Sequence, residues 1–420
     1  MQMKISDIRP EVYDMAAKAQ ERLAGRFVEI DRVAEINTRR VMEAFQNNRV
    51  AEACFAGTTG YGYDDLGRET LDKIYAEIFG TEAALVRIGF VNGTHALTAA
   101  MFALVKPGDT IVAVTGMPYD TLRSAIGISG DCHGSLKFYG INYAQVDLAA
   151  DGGPDYAAIA EAASKPNVTA VMIQRSRGYD NRKALSVDEI GRICETVKAV
   201  NPEINIMVDN CYGEFTDIKE PTHVGADIIA GSLIKNPGGG LAPTGGYVAG
   251  KKELVERAAM RLTTPGIGGE CGSTLGNNRL LFQGLFMAPH IVAQALKTAC
   301  FCAAMMEALG IPTSPTPEEP RSDIIQMVKL GSVENMKRFC LGIQAGAPVD
   351  SYVTPEPWEM PGYDCPVIMA AGAFIQGSSI ELSADGPARE PYTVYMQGGL
   401  TYESGKLGIM MAVSAMLDRQ

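Results

Sequence analysis

Between residues 84 and 209 the chain alternates between short aliphatic runs and stretches in which apolar residues recur at helical spacing. Residues 84–86, 110–114 and 170–174 read as strands, 94–104 and 187–200 as helices, and a further run, Ile206-Met207-Val208, ends in Asp209. Strands and helices that alternate through glycine or proline turns predict an α/β fold, a mostly parallel sheet with helices on both faces. Ligands of such sheets bind beyond the carboxyl ends of the strands, and Asp209 stands at one of those ends.

The flanking segments lack this alternation. Residues 10–48 space Val12, Leu23, Ile30, Val41 and Phe45, among others, at helical intervals between many charges, which predicts an amphipathic arm of one or two helices. A turn-rich patch over 57–63 follows, and 69–79 resumes the helical period before Gly80. Past Gly250 come a helix to about Leu262, a glycine-rich loop at 265–270 and an apolar helix over 289–309; the prolines at 312, 315 and 317 then introduce a C-terminal domain. The expected division is an arm over 1–50, a large domain over 51–295 and a small domain over 296–420.

With 420 residues, 46% of them hydrophobic and 20% charged, the chain can bury a core in each of two domains, which excludes a disordered protein. A net charge of −12 argues against nucleic acid and anionic membranes as partners, because both require a concentrated positive surface. Small molecules and further copies of the chain are the expected partners. The nine cysteines include no C-x-x-C pair and read as reduced thiols of a cytoplasmic protein. None of the four histidines has metal-ligand spacing with another histidine or a cysteine, so no metal is expected. Neither an apolar leader at the start nor an apolar stretch of membrane-spanning length is expected.

The run over 226–234 delivers Lys235 beside a glycine-rich tract at 236–246. Lys235 with Asp209 reads as a pyridoxal phosphate site: the amine forms a Schiff base with the cofactor aldehyde, and the carboxylate keeps the pyridine nitrogen protonated. The ring then acts as an electron sink, so the chemistry is carbanion chemistry. Taken singly, the lysine also fits a solvated charge and the aspartate a turn former. Burial beside a cationic imine is expected to lower the lysine pKa and leave it usable as a base. Ser232 reads as a phosphate ligand, and Asn92-Gly93-Thr94-His95, between a strand and a helix, offers the helix-start amides that a phosphate needs. His95 fits either a hydrogen-bonded place in the first turn or a contact with the cofactor. Tyr119 fits either a ring stacked on the pyridine or ordinary packing, and Tyr61 and Tyr63 also fit plain turn residues.

At these positions the chain resembles the pyridoxal-phosphate enzymes of transsulfuration, the cystathionine lyase and methionine gamma-lyase group with the aspartate aminotransferase fold (fold type I). Val208-Asp209-Asn210, Gly225-Ala226-Asp227 and Ser232-Leu233-Ile234-Lys235 are similar to that group's aspartate strand and lysine motif. A nearer likeness, to the branch called aluminium resistance or methionine gamma-lyase-like proteins, rests on Gly60-Tyr61-Gly62-Tyr63-Asp64-Asp65, Gly116-Met117-Pro118-Tyr119-Asp120, the 236–246 tract and residues 374–383. The resemblance spans residues 55–400. It implies a large cofactor domain and a small C-terminal α+β domain, with Lys235 as the Schiff-base lysine and Asp209 as the pyridinium partner. It makes Gly93, Thr94 and Ser232, beside His95, the phosphate cradle, and Tyr119 a stacking ring that can also serve as a base. Tyr61 resembles a tyrosine lent to a neighbouring subunit's phosphate, which implies a homo-oligomer, a dimer or a dimer of dimers.

The chain departs from the transsulfuration pattern in three places. Tyr63 stands where those enzymes carry an arginine, which turns attention to Arg68 or the 266–269 loop for the phosphate charge. Residues 174–179 replace their Ser-Asn-Pro turn. Their carboxylate-clamping arginine has no counterpart, and Arg389, with Tyr63, is the candidate for holding the amino-acid substrate. The expected activity is that of a carbon–sulfur lyase of the methionine gamma-lyase or cystathionine beta-lyase type. Transamination, racemisation or retro-aldol cleavage on the same cofactor is the alternative outcome, and a cofactor-binding stress protein with little catalysis is the alternative of another class.

Overall fold

The computed structural model describes residues 3–130, 132–360 and 365–417. Its contacts divide into two compact units, Asn37–Phe286 and Met1–Ile36 with Met287–Gln420. The first helix, α1 (Pro10–Asn47), is a single run of 38 residues where one or two helices were expected. Both unit boundaries, at 36/37 and 286/287, fall inside long helices. A helix of this length spans roughly 57 Å at 1.5 Å per residue, more than one small domain needs, so it can belong to two.

In the first unit α2 (Leu66–Ile78) leads into β1 (Ala83–Arg87), and α3 (Gly93–Leu104) into β2 (Thr110–Ala113). There follow α4 (Asp120–Ile126), β3 (Asn142–Gln145), α5 (Tyr156–Ala163), β4 (Val168–Gln174), α6 (Val187–Val200), β5 (Asn205–Asp209), β6 (Ile228–Ser232), β7 (Gly246–Gly250) and α7 (Lys252–Leu262). The strands form a seven-stranded sheet in the order β1-β7-β6-β5-β4-β2-β3, with β7 antiparallel to both neighbours and the other pairs parallel. Along β4, β5 and β6 one set of alternate residues, Ala170, Met172, Met207, Ile228 and Ala230, packs in a core with Leu97 and Ala100 of α3 and Val255 and Ala258 of α7. The intervening residues Val171, Val208 and Ile229 are buried as well. Both faces are therefore covered, as a parallel sheet requires. Asp209 and Ser232 share their parity with the α3-facing set.

Local chemistry sets the element ends. Ser186 caps α6 through the amide of Glu189, whose carboxylate accepts from the Ser186 amide in return. Asp227, the last residue of the Gly-Ala-Asp motif, accepts from Lys198 at 2.9 Å, from Lys251 at 2.7 Å and from the Ile206 amide at 2.8 Å. It thus ties α6, the start of β5 and the start of α7 together at the end of the sheet opposite the candidate site.

The second unit takes in most of α8 (Asn278–Ala308) and then β8 (Thr313–Ser314), β9 (Ile325–Lys329), α9 (Val333–Ala345), β10 (Val367–Ala371), β11 (Ser383–Pro387), β12 (Thr393–Gln397) and α10 (Tyr402–Leu417). Its sheet is antiparallel throughout, in the order β10-β11-β12-β9-β8, with α9 packed on α10 and on β10. Helix α8 starts well before the expected residue 289 and carries Pro289 inside it. Burial of Leu281, Phe282, Leu285, Ala288 and Val292 outweighs the roughly 3 kcal/mol that an internal proline costs. Against the expectation of none, α8 is long and apolar enough to cross a membrane, yet 78% of its most apolar 18-residue window is buried inside the protein. It is a core helix.

Candidate active site

The ends of β5 and β6 are neighbours in the parallel register, Asp209 opposite Ala230. The loops that leave them therefore meet, and the side chains of Asp209 and Lys235 interact. Burial raises the Asp209 carboxyl above its ordinary value, opposed by the Lys235 ammonium and by the Cys211 amide, which donates to Asp209 Oδ1 at 3.1 Å. For Lys235 burial works against the charge, but its neighbours, the Asp209 carboxylate among them, more than offset it and the pKa rises. The expected depression is not found. A depressed pKa belongs to a lysine beside a cationic imine, and the partner in the protein itself is a carboxylate of opposite sign.

The first turn of α3 lies against the end of β6. A Cβ at Gly93 would stand 3.1 Å from Ser232 Cβ and 3.7 Å from Cys211 Sγ, so glycine lets the helix start approach this close. Asn92 caps α3 by accepting from the His95 amide at 2.9 Å, which leaves the amides ahead of it, at Gly93 and Thr94, for an anion. Thr94 shares a hydrogen bond of 2.8 Å with Thr121 of α4. His95 is held in the first turn: its Nδ1 accepts from the Val91 amide at 3.3 Å and its ring meets Phe90 edge-on. Burial and then Arg261 lower its pKa, so it is a neutral ring of the first turn.

Tyr119 sits at the N-cap of α4. Its amide donates to Gln174 Oε1 at 2.8 Å, Gln174 is the strand neighbour of Asp209, and its ring meets Tyr179 edge-on at 6.1 Å. The segment over 174–179 is thus a support for Tyr119. It also carries Arg175, which is fully buried and bonds Asn210 Oδ1 at 2.8 Å, Thr216 Oγ1 at 3.1 Å and Glu220 Oε2 at 3.4 Å.

Tyr61 and Tyr63 are 75% and 58% exposed on a loop, their rings 5.9 Å apart. This loop is pinned from beneath by Arg68, which is almost wholly buried and donates to the carbonyls of Gly62, of Gly272 at 2.8 Å and of Glu270 at 3.4 Å. Gly62 has φ +63°, and a Cβ there would stand 2.6 Å from Gly272 O, so only glycine fits both the turn and the contact. Asp65 receives the Arg68 amide at 2.8 Å, Thr274 at 2.7 Å and Asn278 at 3.1 Å; burial raises its carboxyl, and these donors with Thr58 outweigh it and hold it below its ordinary value. Arg68 is therefore spent on backbone carbonyls and is not the phosphate partner considered from the sequence. The 263–270 loop is likewise held from outside, by Arg87, which grips Asp72 with both carboxylate oxygens at 2.7 and 2.8 Å and donates to Gly269 O at 3.1 Å.

Arg389 belongs to the other unit, exposed in the turn between β11 and β12. A cavity of about 330 Å³ in the first unit is lined by Arg68, Arg87 and residues 271–275 and not by Lys235 or Asp209. Among the described residues no group of three or more His, Cys, Asp or Glu is placed to hold a metal ion. One contact escaped sequence reasoning: the Lys235 ammonium lies over the ring of Tyr212, 3.9 Å from its centroid. An aromatic three positions past the strand-end aspartate was the only available signal.

The sequence pattern of the methionine gamma-lyase family matches residues 12–417. The chain belongs to this family. It is 48% identical over 406 residues, 96% of either chain, to the uncharacterized protein YnbB of Bacillus subtilis. Among solved structures it is similar to a carbon-sulfur lyase involved in aluminum resistance from Clostridium novyi, with 52% identity, a TM-score of 0.94, and 98% of this chain and 97% of that one covered. The pyridoxal-5'-phosphate dependent protein YhfS from Escherichia coli shares the fold at 17% identity, with a TM-score of 0.60 over 91% of this chain and 95% of that one. The mixed sheet with its large parallel part is that of the fold type I enzymes, as expected from the sequence.

Proposed function

We propose that the protein is a pyridoxal-phosphate-dependent carbon–sulfur lyase acting on a sulfur-containing amino acid. The observation that carries this reading is the convergence of Lys235, Asp209 and the start of α3 in a chain of the methionine gamma-lyase family. The donor set fits the cofactor: an amine able to form an imine, a carboxylate for a pyridinium, and helix-start amides with Ser232 for a phosphate. Lys235 would hold the aldehyde carbon, Asp209 the ring nitrogen, and Gly93, Thr94 and Ser232 the phosphate.

When bound, the cofactor supplies an electron sink for charge developing at the substrate α-carbon. The protein's own part is to move protons and to orient. Lys235, once released, or Tyr119 takes the α-proton, and Asp209 stays ionised opposite a positive partner. The exposure of Tyr61 and Tyr63, on a loop that Arg68 holds in a set shape, supports their serving a second copy of the chain, so that a dimer is the smallest active unit.

The test is direct. Purified protein given pyridoxal phosphate should turn yellow, and borohydride should fix the cofactor mass on the peptide containing Lys235. Incubated with methionine, cystathionine or cysteine, it should release keto acid and ammonia together with a thiol or, from cysteine, hydrogen sulfide. Keto acid without thiol or sulfide would replace elimination by transamination, and a colourless protein with an unmodified Lys235 would end the reading.

A further inference from the structure

We propose that Tyr212 is a positioning residue for Lys235: the face of its ring is the seat on which the lysine nitrogen rests when detached from a cofactor, and it favours that nitrogen in its protonated form. The inference rests on the reading of Lys235 given above. The Lys235 nitrogen lies 3.9 Å from the ring centroid, well inside the roughly 6 Å over which an aromatic face attracts a cation. Tyr212 and Lys235 come from loops that leave adjacent parallel strands on the same side of the sheet, so the contact follows from the register of β5 and β6.

The backbone argues that the ring is aimed. Tyr212 has φ +70°, a left-handed conformation unfavourable for a bulky residue and kept only where the surroundings impose it. Here they do so on both sides. Before Tyr212, Asn210 is fixed by Arg175 at 2.8 Å and by Glu220 at 3.1 Å; after it, the Phe215 amide donates to Glu220 Oε1 at 2.9 Å. Arg175 and Glu220 are both fully buried, so the clamp is rigid. A ring that merely filled space could do so from a relaxed backbone.

The groups that face Lys235 are the Asp209 carboxyl, the Cys211 thiol and Tyr212, with Arg182 acting on Asp209. Burial holds Cys211 well above its ordinary range, so it is a neutral thiol, and Asp209 and Tyr212, the latter through its ring face and its hydroxyl, remain as the partners of the ammonium. In the proposed reaction the freed lysine uses its lone pair to take the substrate α-proton, and the C–H electron pair stays on carbon. The lysine becomes an ammonium in that step. A ring face that attracts the ammonium and not the neutral amine stabilises the result of the transfer more than its start.

The experiment uses cofactor-free full-length protein and acetic anhydride as the amine probe, with acetylation of the Lys235 peptide followed by mass spectrometry across pH. Accessibility alters the plateau of this profile, and protonation alters its midpoint. Wild type is compared with Y212F, which keeps the ring, and with Y212M, which removes it, each checked for folding by circular dichroism. Y212M should bring the midpoint down by about one pH unit, a roughly tenfold gain in labelling at a given pH below it, while Y212F, which loses the hydroxyl and keeps the ring, is displaced by clearly less. An unchanged midpoint in Y212M, or a Y212F profile displaced as far as that of Y212M, would overturn the proposal. Should Y212M not fold, Y212L takes its place. Borohydride trapping of the cofactor on wild-type Lys235, run in parallel, reports on the cofactor reading alone, so the two failures are distinguishable.

Discussion

Replacement of Arg175 by methionine should cost the protein about 3–4 kcal/mol at pH 8, toward the lower end of what breaking a buried ion pair costs. Methionine keeps the length and the apolar body of the side chain and removes the guanidinium. Glu220, itself fully buried, then retains the Phe215 amide at 2.9 Å and the Asn210 amide group at 3.1 Å but has lost its cation. Those two remaining donors place the cost at the lower end. The stranded carboxylate can also escape by taking a proton. Burial already raises the Glu220 pKa, and Arg175 is the first of the groups that pull it back. A group whose folded pKa lies above its unfolded value contributes stability below the unfolded value and loses it as pH rises through the folded one. The deficit of R175M should therefore be smallest near pH 5 and grow toward pH 8. Urea titrations of wild type and R175M at both pH values, followed by far-ultraviolet circular dichroism, measure it. A loss below about 1 kcal/mol at pH 8, or one that does not grow with pH, would refute the reasoning. The double variant R175M/E220Q, in which no charge is stranded, should recover much of the loss.

Asp209→Asn should still bind pyridoxal phosphate, as read by absorbance, but lose turnover by a factor of about a hundred or more, because a preorganised charge opposite the ring nitrogen is removed. Arg68→Met should free the carbonyls of Gly62 and Gly272, and faster amide exchange over 57–65 and 270–276 than elsewhere in the chain is the expected result. Burial raises Glu214 to about 8, so its contribution to stability is present at low pH and is lost as pH rises through 8. Glu214→Gln should flatten the stability curve between about pH 5 and 8, and parallel curves for the two proteins would contradict this.

The legible elements were those with strong local signals. The buried strands β4, β5 and β6 each hold a short apolar run, over 170–173, 206–208 and 228–230, and α6 announces itself with Ser186 and Glu189 three residues apart. The short α4 and the half-exposed β3, whose residues are Asn142-Tyr143-Ala144-Gln145, carry no such run and were missed; α5 was missed because its eight residues are mostly alanine and set no helical period. Pro289 displaced the expected start of α8, because a local rule about proline was outweighed by tertiary burial. In the site, Gly93, Thr94, Asp209, Ser232 and Lys235 were visible because each lies at a strand or helix end with its own turn chemistry. Arg68 was misread because its carbonyl partners Gly272 and Glu270 lie some two hundred residues away.

The sequence by itself determined the class of fold, the family and the residues able to carry cofactor chemistry, since periodicity, caps and short motifs are properties of a few consecutive residues. The tertiary structure alone decided what those residues face. The register of β5 against β6 brought Tyr212 under Lys235, and the burial of Arg175 with Glu220 imposed the backbone that aims it. Desolvation and neighbouring charge together gave Lys235 and Asp209 their protonation. Those are sums over neighbours distant in the chain, and no local pattern encodes them.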